Sequence, residues 1–130
     1  MSDEIILNLY ARLTNGHLAD EFKPGQISVT QTTIGRGGYT QKFTTAEDVI
    51  DFGDIVTPGY CCLRNLDDTW SIEYGPETAT GTAGDMVVCG ELGPGEVAIF
   101  RVGASAVLRG QVAGGTTTAT VMLDIHVWED

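Results

Sequence analysis

Along most of this chain, apolar and polar residues alternate one for one, the period of a β-strand rather than of a helix. The clearest run is the closing "TATVMLDIHVWED". There Ala119, Val121, Leu123, Ile125 and Val127 alternate with Thr120, Met122, Asp124, His126 and Trp128, giving one aliphatic face and one mixed face. "GEVAIFRVG" alternates in the same way and places Ala98, Phe100 and Val102 on one side with Val97, Ile99 and Arg101 on the other. Both of its faces are largely apolar, which predicts a central or covered strand. The opening "EIILNLYARL" sets Ile5, Leu7, Leu9, Ala11 and Leu13 against Ile6, Asn8, Tyr10 and Arg12. Ile5, Leu9 and Leu13 also fit helical spacing, but the strand reading accounts for more of the run.

Punctuation between the runs is dense. Asn15-Gly16 and Pro24-Gly25 interrupt "TNGHLADEFKPGQ", which predicts an extended, irregular connection. "QISVTQTTIG" then reads as a strand and "RGGYTQ" as a flexible turn. "TTAEDVIDFGD" offers a short helix or a loop, since Thr44 and Glu47 have capping-box spacing and Gly53 could end a turn. In "GYCCLRNLDDTWSIEYGP" two alternating runs flank Leu-Asp-Asp-Thr, whose short acidic side chains suit a reversal; the stretch predicts a β-hairpin. The whole is an all-β chain: a single antiparallel β-sandwich over residues 27–130, preceded by an N-terminal arm or first strand and connection over 1–26, with at most one short helix.

Composition narrows the function classes. A chain of 130 residues suits one core, and 18 acidic against 7 basic residues give a formal net charge of -11. Such a surface repels phosphate backbones, so no nucleic-acid partner is expected. No apolar run reaches the ~18 residues of a membrane span, and the acidic start is unlike a secretory signal, so a soluble chain made in a reducing cytoplasm is expected. Three cysteines, Cys61, Cys62 and Cys89, are too few and too odd for a disulfide framework; they read as small buried hydrophobes.

The candidate chemistry is thin. No Cys-x-x-Cys occurs, and His17 and His126 lie far apart, so no metal and no cofactor are expected. Glu47, Asp48, Asp51 and Asp54 could gather oxygen ligands but miss the calcium-loop pattern. Ser105 in "GASAV" lacks the Gly-x-Ser-x-Gly elbow, Cys62 has only Arg64 as a basic neighbour, and Gly35, Gly37 and Gly38 do not make a phosphate loop. A non-enzymatic role is therefore the expectation. Trp70, Tyr74 and Trp128 are the aromatics that a carbohydrate-binding adhesin module would use for stacking.

"DFGDIVTPGYCCLRNLDDTWSIEYGP", followed by "ELGPGEVAIFRV" and a closing strand ending in acids, resembles a group of small tailed-bacteriophage virion proteins. The resemblance spans about residues 27–130. Cys61 and Cys62 stand where bulky apolar residues are more usual in that group, and Gly93 stands where Lys is frequent. The resemblance implies a β-sandwich, jelly-roll among the possible types, working as a capsid decoration or cement protein that bridges subunits of the major capsid protein. It also implies a homo-oligomer, a homotrimer being favoured by local three-fold symmetry, and a place on the virion after synthesis in the bacterial cytoplasm. A neck, tail or fibre component is the alternative. Ile5, Leu7 and Leu9 on the arm, with Met122, His126 and Trp128 on the mixed face of the closing strand, are the candidate subunit or capsid interface residues.

Overall fold

The computed structural model describes residues 4–78, 86–103 and 106–130, and among them the chain is all-β, without a helix. It divides into two compact units, Met1–Ile34 and Gly35–Asp130.

The first unit is one long antiparallel hairpin. Strand β1 (Ile5–Asn15) pairs with β2 (Leu18–Val29) from Ile5↔Val29 to Asn15↔Leu18, across a Gly16–His17 loop in which Gly16 takes a positive φ of 58°. The segment read as an irregular connection is thus a strand. Pro24-Gly25 does not break it, because the register shifts between Leu9 and Ala11 and places Lys23 and Pro24 together opposite Tyr10. A β-bulge is one of the few places where a strand accommodates a proline, which has no N–H to give to the ladder. Ile27, Ser28 and Val29 belong to this hairpin, pairing with Leu7, Ile6 and Ile5, and not to the sheets that follow.

The second unit is two packed antiparallel sheets, as a β-sandwich requires. The five-stranded sheet has at its centre β11 (Val121–Glu129) and β6 (Pro58–Asn65). The short strands β3 (Arg36–Gly37) and β4 (Thr40–Phe43) lie against β11, and β9 (Val97–Arg101) closes the edge beside β6. The four-stranded sheet runs β5 (Asp48–Val49), β10 (Leu108–Ala113), β7 (Ser71–Pro76), β8 (Gly90–Leu92). "RGGYTQ" is no flexible turn: Gly38, at φ 94°, lies so close to the Ile125 carbonyl that a Cβ would strike it. "TTAEDVIDFGD" forms the brief strand β5 and loops, because Val49 pairs with Arg109 and Ile50 is drawn into the core.

Between the sheets lie Phe43, Cys61, Leu63, Ile72, Val121, Leu123, Ile125 and Val127, each at most 1% exposed. Four of these eight are alternate residues of β11, so the aliphatic face of the closing strand is the middle of the core. Burying a Leu or Ile side chain there stabilises the fold by roughly 1.5–3 kcal/mol.

The stretch read as a hairpin is not one. Strands β6 and β7 lie in different sheets, and residues 66–70 carry the chain over the rim from one sheet to the other. Asn65 makes the crossing: its fully buried amide donates to the carbonyls of Trp70 at 2.9 Å and Leu92 at 3.0 Å, and its Oδ1 accepts from Asp67 N at 2.8 Å. Asp67 Oδ2 then accepts from the backbone N–H groups of Thr69 and Trp70, which holds its carboxyl below the usual carboxylate range. The β8–β9 link crosses at the same place, where Asn65 N donates to Glu96 O and Gly95 N donates to Asn65 O. Gly95 takes φ 77° there, a conformation glycine adopts without strain.

Candidate functional site

The structure brings the six interface candidates into two groups. In the hairpin, Ile5, Leu7 and Leu9 share a face with Ala11 and Leu13 on β1 and with Val29, Ile27, Phe22 and Leu18 across the pair, interrupted by Gly25 opposite Leu9, Asp20 opposite Leu13 and Asn15 opposite Leu18. Ile5 and Leu7 are buried and Leu9 is half-buried, but towards the loop the same stripe opens, with Leu13 47%, Leu18 59% and Phe22 64% exposed. Leu18 and Phe22 were invisible to strand periodicity because Pro24-Gly25 hid the strand that carries them. The opposite face carries Asn8, Arg12, Glu21, Gln26 and Ser28 together with the exposed Ile6 and Tyr10, with Lys23 Nζ 5.9 Å from the centre of the Tyr10 ring.

Met122, His126 and Trp128 lie on the outer face of the five-stranded sheet. Pairing places beside them Tyr60, Cys62 and Arg64 on β6, Val97, Ile99 and Arg101 on β9, Thr40 and Lys42 on β4, and Arg36 on β3. Four of the five cations in residues 35–130 therefore share one face, with the carboxylates of Asp124 and Asp130 among them. Contrary to the covered position expected for it, β9 is an edge strand with Val97 55% and Ile99 37% exposed. The Arg101 guanidinium sits 4.8 Å from the centre of the Tyr60 ring and donates to Asp130 at 3.1 Å. That hydrogen bond raises its pKa further.

His126 has its chemistry fixed by its neighbours. Arg36 Nη2 lies 2.8 Å from Nδ1, and a guanidinium only donates, so Nδ1 is unprotonated; Nε2–H donates to Asp124 at 3.2 Å. Cys62 lies directly across from His126 in the ladder, and burial raises its thiol pKa. A thiol whose pKa is raised by burial is not an activated nucleophile. Cys61 faces the core with its pKa pushed up to about 12, first by burial and then by Cys62. Cys89, read as buried, is exposed; all three are free thiols.

The outer face of the four-stranded sheet has the opposite charge. Glu73 stands directly across from Glu91, with Gln111 on the other side of Glu73. Nearby, Arg109 is enclosed by Glu77 at 2.8 Å and Glu47 at 3.4 Å, and the hydrogen bond to Glu77 raises its pKa. A shallow cleft of about 480 Å³ lies beside β5, lined by Tyr39, Asp48, Asp51, Phe52 and Leu108 among others. Its carboxylates are engaged locally: Asp48 accepts from Val49 N, and Asp51 accepts from Gly53 N. Among the described residues no group of three or more His, Cys, Asp or Glu side chains is arranged to hold a metal ion. Ser105 lies outside the described residues.

The three aromatics considered for glycan stacking do not share a face. Tyr74 stacks on Phe100 with ring centres 6.0 Å apart, Trp70 packs against the core, and Trp128 lies on the outer face of the other sheet. What the site offers is surface: an apolar hairpin stripe, a cationic sheet face with aromatic and aliphatic residues, and an acidic sheet face. Compared with family models, curated proteins and solved structures, the chain matches none.

Proposed function

We propose that this chain is a non-enzymatic structural protein of a tailed-bacteriophage virion, decorating the head and bridging capsid subunits. The observation that carries the reading is the open end of the hairpin stripe, Ala11, Leu13, Leu18 and Phe22. An isolated two-stranded hairpin in water is marginally stable at best. A sequence that keeps aliphatic and aromatic residues on one exposed face of such an element is suited to burying them against another molecule. The cement mechanism follows: a sandwich held to one capsid subunit while its hairpin buries apolar area on the next resists their separation. The phage-like phrases through 51–76 and 91–102 point the same way.

The carbohydrate-module alternative is disfavoured by the packing of Trp70 and Tyr74 against the core, which leaves Trp128 as the one of the three on an outer face, and by the Arg101 guanidinium over the ring of its neighbour Tyr60. A neck, tail or fibre position uses the same surfaces and differs in copy number. The experiment is co-sedimentation of the purified protein with empty heads of the phage that encodes it. Saturation at hundreds of copies per head supports decoration, a handful of copies moves the protein to the neck or tail, and no co-sedimentation ends the cement reading.

A further inference from the structure

The two outer faces of the sandwich are near mirror images in charge. On the five-stranded sheet, Arg36, Lys42, Arg64 and Arg101 stand with Asp124. On the four-stranded sheet and its margin, Glu47, Glu73, Glu77 and Glu91 stand with Arg109. Some of these charges are already answered within the chain, Arg109 by Glu47 and Glu77 and Arg101 by Asp130, while Asp124 accepts a hydrogen bond from His126 and stands across the ladder from Arg64. What is left over is complementary. Among the described residues Lys42 and Arg64 have no ion-pair partner on one face, and Glu73 and Glu91 have none on the other.

The acidic leftover costs the isolated molecule something. Like charges directly opposed across an antiparallel pair are destabilising, and Glu73↔Glu91 is such a pair. The cationic face also exposes Val97, Ile99 and Met122 beside Tyr60 and Trp128, and it is Arg, Tyr, Trp and Met that are enriched where proteins bury surface on one another.

We infer that a second copy of this chain docks here, the cationic face of one sandwich against the acidic face of the next, with Lys42 and Arg64 answering Glu73 and Glu91. The two faces lie on opposite sides of one sandwich, so the contact is heterologous. Each added copy presents a fresh face, and the assembly closes into a ring or continues as a stack according to the turn between copies. The contact stands independently of the virion reading, since it concerns only copies of this chain.

The net charge of -11 gives the association a distinctive dependence on salt. At ~10 mM salt the screening length is ~30 Å and whole-molecule repulsion keeps copies apart; at ~150 mM it falls to ~8 Å, shorter than the molecule but longer than a contact pair. At ~1 M the contact pairs themselves are screened. Self-association therefore peaks at intermediate salt.

The test is sedimentation velocity on the full chain across that salt range, with two charge-reversed variants, Lys42→Glu/Arg64→Glu and Glu73→Lys/Glu91→Lys. All four side chains point outward, and circular dichroism checks that each variant keeps the native fold. The wild type is expected to associate most at intermediate salt, each variant alone to lose at least tenfold in association constant, and an equimolar mixture of the two to regain it, because one now has two cationic faces and the other two acidic ones. A wild type that is monomeric at every salt concentration overturns the inference. So does a mixture that associates no better than its components, which would place self-association elsewhere on the chain.

Discussion

Asn65 and Leu92 belong to different sheets, and the buried Asn65 amide joins them by donating to the Leu92 carbonyl at 3.0 Å. The same side chain serves Trp70 O and Asp67 N, so one residue satisfies three backbone groups at the rim where two crossings meet. Replacing it with Ala strands those groups in a closed site, and each buried unsatisfied polar group costs ~1–3 kcal/mol. Asn65→Ala is expected to lower stability by about 3 kcal/mol in urea denaturation. Asn65→Asp is expected to be no better, because an ionised carboxylate cannot donate to the two carbonyls. A midpoint within experimental scatter of wild type for either variant would show that the crossings hold without Asn65.

Asp67 makes the crossing sensitive to acid. Its carboxyl is stabilised as the anion by the N–H groups of Trp70 and Thr69, so its pKa in the folded state lies below the unfolded value of ~3.9. A depressed pKa contributes stability that is complete above the unfolded value and is lost as pH falls through the folded one. Wild type is therefore expected to lose stability below about pH 4. Asp67→Asn should start lower at neutral pH and show a shallower fall over the same window. Parallel acid-denaturation curves for the two proteins would remove Asp67 from the account.

The thiols should separate cleanly. Thiolates are the reactive species, and access limits them. Cys89 is exposed and is expected to react first with a chromogenic disulfide at pH 8, Cys62 more slowly because it is half-buried with a raised pKa, and Cys61 only on unfolding. Cys89→Ser should abolish the fast phase alone. Three equivalent phases would contradict the burial of Cys61.

The hairpin and the sandwich should respond to mutation separately. Leu63→Ala and Ile125→Ala open cavities at positions at most 1% exposed and are expected to cost roughly 2–5 kcal/mol. Leu13→Thr/Phe22→Thr places strand-favouring β-branched residues on exposed strand positions and is expected to leave the sandwich transition within about 0.5 kcal/mol of wild type while weakening attachment to heads at least tenfold. Full attachment by that double variant would move the capsid-binding surface off the hairpin.

The sequence made the strands legible more readily than their partners. Val121, Leu123, Ile125 and Val127 alternate because a half-buried strand must, and the structure places all four at 0% exposure. Alternation is silent about which sheet the next strand joins, so "GYCCLRNLDDTWSIEYGP" looked like a hairpin although Asn65 turns it into a crossing between sheets. Pro24-Gly25 looked like a break because a proline ends most strands; a bulge at Lys23–Pro24 allows this strand to continue. The cationic face was hidden for another reason. Arg36, Lys42, Arg64 and Arg101 sit on four strands dispersed through the sequence and meet only through pairing with β11 and β6. Of that face only the three members on one strand, Met122, His126 and Trp128, could be picked out beforehand.

None of the buried residues that form the sandwich core comes from the first 34 positions. The hairpin is consequently free to diverge on its own terms. Under the proposed role, substitutions along Ala11, Leu13, Leu18 and Phe22 change the binding surface while leaving every residue of the sandwich core in place. A protein of that role can thus follow a changing partner surface by altering a few side chains on two strands, while the sandwich is inherited unchanged.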